Sequence, residues 1–174
     1  MIISPEALQE NTFYQICSKL NDIYYEKFGS QNNEGRSRPK KYSGLQIIKC
    51  LLYKVKNKIY CLRELKSELK DDLLTLGIIG FNEVPDHSTF ALRFKQLEKE
   101  KFDILFQSVV KKLNPDTRIT SIDATALRSS KNDSEAKFGL STYLGKYKGY
   151  KLHLATSNDY IPLSFKFTTG NVSV

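Results

Sequence analysis

The chain has 174 residues, 40% of them hydrophobic, with a formal net charge of +8 and a sequence pI near 9.3. That length holds one domain, or a small domain with part of a second. No apolar run approaches the roughly 20 residues of a membrane span, and the residues from Met1 to Glu6 lack the basic and apolar regions of a signal peptide. Cys17, Cys50 and Cys61 are odd in number and contain no CxxC pair, which argues against a disulfide frame or a zinc site. They read as small buried residues of a reducing compartment, so a cytoplasmic protein without a membrane partner is expected.

In chain order, Ser4, Pro5 and Glu6 predict a helix start, with an N-cap serine, proline at the first helical position and an acid in the first turn. Phe13, Ile16, Leu20 and Ile23 or Tyr24 follow on one helical face. Gly29 to Pro39 is a polar linker without periodicity. A second helix is expected from about Ser43, with Leu45, Ile48, Leu52, Val55 and Ile59 on its apolar face and Lys49, Lys54, Lys56 and Lys58 directed elsewhere. A third, short helix is expected over Cys61 to Leu74, ended by Gly77 and Gly80. Pro85 to Thr89 supplies a turn rich in caps ahead of Phe90 to Leu97. A further helix carries Phe102, Leu105, Phe106, Val109 and Leu113 until Asn114-Pro115-Asp116 breaks it.

After Asp116 the period changes from helical to alternating. Arg118 to Leu127 is a strand candidate, Arg128 to Leu144 a polar excursion, and Tyr150 to Thr156 and Leu163 to Thr168 alternate. Ser157-Asn158-Asp159-Tyr160 joins that last pair as a hairpin turn. The expectation is an α+β chain, with an all-α domain over residues 1–115 followed by a three-strand antiparallel meander over 116–174. Asp123 is expected on the central strand, near its end, beside the strand that begins at Tyr150.

The charge is uneven. From Gly35 to Ser67 there are ten bases against Glu64 alone. Such a block lowers the energy of a nearby polyanion and makes its binding salt-dependent through counterion release; a solvated basic face is the plainer alternative. Tyr42 to Leu97 has the layout of a helical DNA-binding unit, namely a basic helix, a short helix, a glycine-containing connection and a capped helix with Arg93 and Lys95 exposed. Its spacing is looser than a tight helix-turn-helix, and a basic docking domain would look alike. His87 reads as a turn or capping residue. His153 alternates with Leu152 and Leu154 and so faces away from both; sheet-surface packing and a role near a phosphate both remain open. Asp123 is a lone acid in a run of β-formers, Ile119 to Leu127. Such a carboxylate costs several kcal/mol to desolvate unless something partners it. Ligation of a hard divalent cation and hydrogen bonding to backbone donors are both open on the residues alone.

Five motifs in one order carry a resemblance. Tyr42-Ser43-Gly44-Leu45-Gln46-Ile47-Ile48-Lys49 comes first, then Pro85 to Phe90 with Arg93-Phe94. Ile122-Asp123-Ala124-Thr125 follows, then Lys148 to His153, and last Pro162-Leu163 with Thr169-Gly170-Asn171-Val172. Together they resemble insertion-sequence transposases of the IS5/IS4 type, over nearly everything from Tyr42 onward. The resemblance implies a helical DNA-binding and assembly domain and then the opening of a DDE catalytic domain of RNase H-like fold. The implied function is transposition of an insertion sequence, a transposable element: binding of the terminal repeats in double-stranded DNA, strand cleavage and strand transfer. It maps the first acid of the Asp-Asp-Glu triad onto Asp123, as catalytic residue and ligand of Mg²⁺ or Mn²⁺ in the complete enzyme.

It further implies phosphate contacts from Arg36, Arg38, Lys40, Lys41, Lys54, Lys56, Lys58, Arg93, Lys95 and Arg128, with Lys148, Lys151 and His153 approaching DNA near the site. The second Asp and the Glu have no counterpart, because Asp133 and Glu135 fall in a polar loop and Asp159 in a turn. The chain therefore looks like a truncated transposase or the first product of a frameshifted frame, partnered by itself or by full-length transposase, and whether it is itself an enzyme is open. The alternatives are a non-catalytic DNA-binding relic or inhibitor of transposition, and a basic helical module for an acidic protein partner.

Overall fold

The computed structural model describes residues 5–29 and 41–172. Ser4 and the linker residues 30–39, with Arg36, Arg38 and Lys40, lie outside the described residues. Those described form an α+β chain of seven helices and a four-strand antiparallel sheet, which divides into two compact units, residues 1–105 and 106–174. No helix among the described residues is long and apolar enough to cross a membrane.

In the first unit, α1 (Pro5–Glu10) is separated from α2 (Thr12–Phe28) by Asn11, whose side chain accepts the Tyr14 N–H and caps the second helix. α3 (Gly44–Lys56) begins where Ser43 predicts. The Ser43 hydroxyl accepts the Gln46 N–H and the Gln46 side chain accepts the Ser43 N–H, a reciprocal capping box. The single helix expected over Cys61 to Leu74 is two, α4 (Leu62–Asp71) and α5 (Leu73–Ile79). Asp72 makes the break: its carboxylate takes the Thr75 N–H at 2.8 Å and caps α5. Gly77 lies inside α5, and Gly80, at φ 88°, ends it in the left-handed conformation that glycine adopts without cost. Asp86 caps α6 (His87–Lys95).

α3 is packed on two sides. Ile47, Cys50 and Tyr53 join Phe13, Cys17, Leu65, Leu69, Ile79, Phe81 and Phe90 in one core cluster. Leu45 and Ile48 join Leu20, Ile23, Tyr24 and Leu105 in another. This two-sided burial rotates the covered stripe away from the simple periodic face. Val55 is 67% exposed, whereas Lys49, expected to point outward, is 8% exposed. The reason is that the last carbonyls of a helix lack partners within it. Lys49 Nζ donates to the Ile78 carbonyl at 3.1 Å, and Gln46 donates to that of Gly80, so α3 side chains satisfy the end of α5. Burial pulls the Lys49 ammonium below its ordinary pKa. Two of the cysteines are buried as expected. Cys61 is not: it sits exposed at the N-cap of α4.

α7 (Lys99–Leu113) ends at Asn114, which has a positive φ of 45° ahead of Pro115. In the second unit the Phe106 ring packs edge-on to Phe165 at 5.2 Å, and the Gln107 side chain donates to the Leu163 carbonyl at 3.2 Å. The strands are β1 (Thr120–Arg128), β2 (Lys137–Ser141), β3 (Gly145–Ser157) and β4 (Pro162–Thr169). The meander thus has four strands and not three, because β2 lies inside the segment expected to be a polar excursion. β3 is the hub. Its first residues pair with β2, and its remainder pairs with β1 and with β4. β1 is therefore a flanking strand and not the central one, although it does lie beside β3. Asp123, fourth of its nine residues, sits opposite Leu154. The turn after Ser157 forms as expected, closed by Tyr160 N–H to the Ser157 carbonyl at 3.0 Å.

Candidate functional site

Register decides which sheet residues can act together, since directly opposed residues project to one face and successive residues alternate. Asp123 opposes Leu154, so it shares a face with Leu152 and Leu154, with Phe165 and Phe167 of β4, and by alternation with Tyr150 and Lys148. Arg128, Lys151 and His153 alternate to the opposite face, where His153 opposes Ala124 and Lys166. The expected grouping of Asp123 with Lys148, Lys151 and His153 is thus divided across the sheet. Asp123 is exposed, and its Oδ1 accepts the N–H of its own neighbour Ala124 at 2.7 Å.

The other sheet candidates are already engaged. Lys148 Nζ donates to the Lys131 carbonyl at 2.8 Å, Lys151 Nζ to the Val172 carbonyl at 2.9 Å, and Arg128 to the Leu144 carbonyl at 3.3 Å. His153 Nε2 lies 2.8 Å from the Thr168 hydroxyl. Asp133 and Asp159 serve turns. Asp133 accepts from the Ser129 hydroxyl and from Tyr150 OH, which together hold its carboxyl below the usual range. Asp159 accepts the Asp116 N–H at 3.0 Å. Among the described residues no three His, Cys, Asp or Glu gather into a group that could hold a metal ion. These residues do not by themselves fit a two-ion centre around Asp123.

Among the described residues the helical candidates separate into structurally engaged and unpaired groups. Arg93, expected exposed, is half-buried. Its guanidinium donates to the Tyr42 carbonyl at 2.8 Å and to the Gln96 side chain at 3.1 Å, tying α6 to the residues ahead of α3. It lines a cavity of about 280 Å³ with Tyr24, Tyr42, Ser43 and Lys101. Lys41 Nζ is 2.6 Å from Glu83, which raises the amine's pKa and lowers the carboxyl's. Lys56, Lys58 and Lys95 are exposed and Lys54 is half-exposed. The last turn of α3 and the residues after it therefore offer three ammonium groups in five positions. Val55 and Tyr60, at 67% and 85% exposure, stand among them. Tyr60 was not a sequence candidate; an aromatic residue within two positions of a lysine run is the signal that could have found it. His87 is the first residue of α6, with Nδ1 3.0 Å from Asp86, in keeping with a turn role.

Residues 4–96 match a family model described as Transposase domain (DUF772). No curated protein and no solved structure matches the chain.

Proposed function

The chain belongs to the transposase-domain family (DUF772), and from that premise we propose that it binds the DNA ends of an insertion sequence of the IS5/IS4 type. The observation that carries this reading is the coincidence of the family match with the free cations of the same unit. Lys54, Lys56 and Lys58 project from the end of α3 and Lys95 from α6, all within or next to the matched residues. Ammonium groups without protein partners can replace the counterions condensed on DNA, which makes affinity strongly salt-dependent. Arg93 takes a positioning role in this reading, since its donors hold α6 against the backbone before α3. Strand cleavage and transfer enter the proposal only as far as Asp123, one carboxylate on β1 that the IS5/IS4 resemblance implies as a Mg²⁺ or Mn²⁺ ligand.

The test measures binding of element-end duplex as a function of salt for the wild type and for the triple variant Lys54→Gln, Lys56→Gln, Lys58→Gln. The expected result is weaker binding and a log–log salt slope flattened by up to about 2.7, at about 0.9 per lost phosphate contact. Unchanged affinity and slope, with an unchanged circular dichroism spectrum, would overturn it.

A further inference from the structure

The β2–β3 hairpin leaves large apolar side chains in water beside cations. Register pairs Phe138 with Lys148 and Leu140 with Lys146, so these four project to one face of the hairpin. Phe138 is 62% exposed, Leu140 75%, and Tyr143 in the turn 93%. So much uncovered apolar surface on a five-residue strand marks an interaction surface. Its charge selects the partner. From Arg128 to Lys151 there are six bases against Asp133 and Glu135, and the Asp133 carboxylate is spent on Ser129, Tyr150 and two backbone N–H groups. Lys146 Nζ lies 5.4 Å from the centre of the Phe138 ring, whereas exposed Lys137 alternates to the opposite face.

Exposed rings interleaved with ammonium groups match one ligand chemistry: unpaired bases that stack on the rings while phosphates meet the cations. A duplex keeps its base faces within its own stack and would use only the lysines. A second copy of the chain would bring the same positive charge to the contact, which opposes self-association.

We propose that the β2–β3 hairpin binds single-stranded DNA, with Phe138 and Tyr143 stacking on unpaired bases and Lys146, on the Phe138 face, contacting a flanking phosphate. The inference rests on the DNA reading above only for the choice of nucleic acid; its residues and its strand state are its own.

The experiment uses the full chain. Binding of a labelled oligothymidylate and of a duplex is measured for the wild type, for Phe138→Ser with Tyr143→Ser, and for Phe138→Leu with Tyr143→Leu. The leucine pair keeps apolar bulk but removes the π-faces. Both pairs are expected to lose single-strand affinity by about thirtyfold or more, since two stacked bases lose their aromatic platforms, with duplex binding and circular dichroism unchanged. Retained single-strand affinity in either pair overturns the proposal. Equal loss of single-strand and duplex affinity also overturns it, as does a wild type that binds duplex alone, and that last result leaves the helical DNA reading standing. A wild type that binds the single strand through these rings but not the duplex supports the hairpin and sinks the helical reading.

Discussion

The two units of the chain are held together by different means. Residues up to 105 bury Phe90, Ile47, Leu65 and Leu69 completely in one cluster beside α3, with a second cluster around Leu45 and Ile48. Among the described residues from 106 onward, the buried hydrophobic side chains are Ala136 and Tyr147. There Ile122 is exposed on one face of the sheet and Leu127 and Phe167 on the other. Close-packed side chains dominate the first unit, while backbone pairing of β3 with three neighbours dominates the second. Each is therefore vulnerable in its own way: the helical unit to the removal of atoms, the sheet to their addition.

Emptying the helical core should cost the most. Phe90→Ala should destabilise the first unit by about 3–5 kcal/mol, measured by urea denaturation followed at the helical circular dichroism band. A loss near that of a surface substitution would mean that the clusters are not packed as described. The sheet answers to the opposite change. A Cβ at Gly149 would be driven into the Leu127 carbonyl oxygen, a backbone atom that moves only if β1 moves. Gly149→Ala should therefore cost about 1–3 kcal/mol, read as lost amide-exchange protection in β1 and β3 while the helices keep theirs. Protection lost equally in both units would erase the contrast.

The smallest effect is electrostatic and lies in the helical unit. The Lys66 ammonium, then the Ser88 N–H, hold the Asp86 carboxyl well below its ordinary value of 3.8. A carboxyl depressed in the folded state contributes stability that is fully present above that ordinary value. The contribution is lost as pH falls through the folded value. Asp86→Asn keeps a capping side chain but removes the charge. The variant should lose less stability than the wild type as pH falls below about 4, in melts recorded along an acid series. Parallel acid limbs would show that the contact with Lys66 is too exposed to matter.

What was legible in the sequence was local. Ser43, Asp86 and Gly80 mark helix ends because a capping oxygen or a left-handed glycine acts within a few residues, and the turn after Ser157 follows the same logic. The break at Asp72 has equally local chemistry, but the leucine spacing runs through it and hid it. β2 was illegible because Lys137, Gly139 and Ser141 are poor strand formers, and pairing with β3 overrides their preference. Buried Lys49 follows from a carbonyl 29 positions away at Ile78, which no helical period reports. For the candidate site, residue types were readable but faces were not. Lys151 and His153 part from Asp123 only once register is known.

The three thiols have a kinetic consequence. Cys61 is exposed, and the N–H groups of Glu64 and Arg63 lower its pKa, which favours its reactive thiolate form. Burial pushes the Cys17 thiol up and the Cys50 thiol to about 12. A thiol-reactive dye added to the native chain meets one nucleophile at once and two only when the helices around them part. The slow phase of labelling thus counts openings of the core, and the fast phase calibrates the reagent within the same molecule. The protein carries its own clock for local unfolding, with no residue needing to be changed.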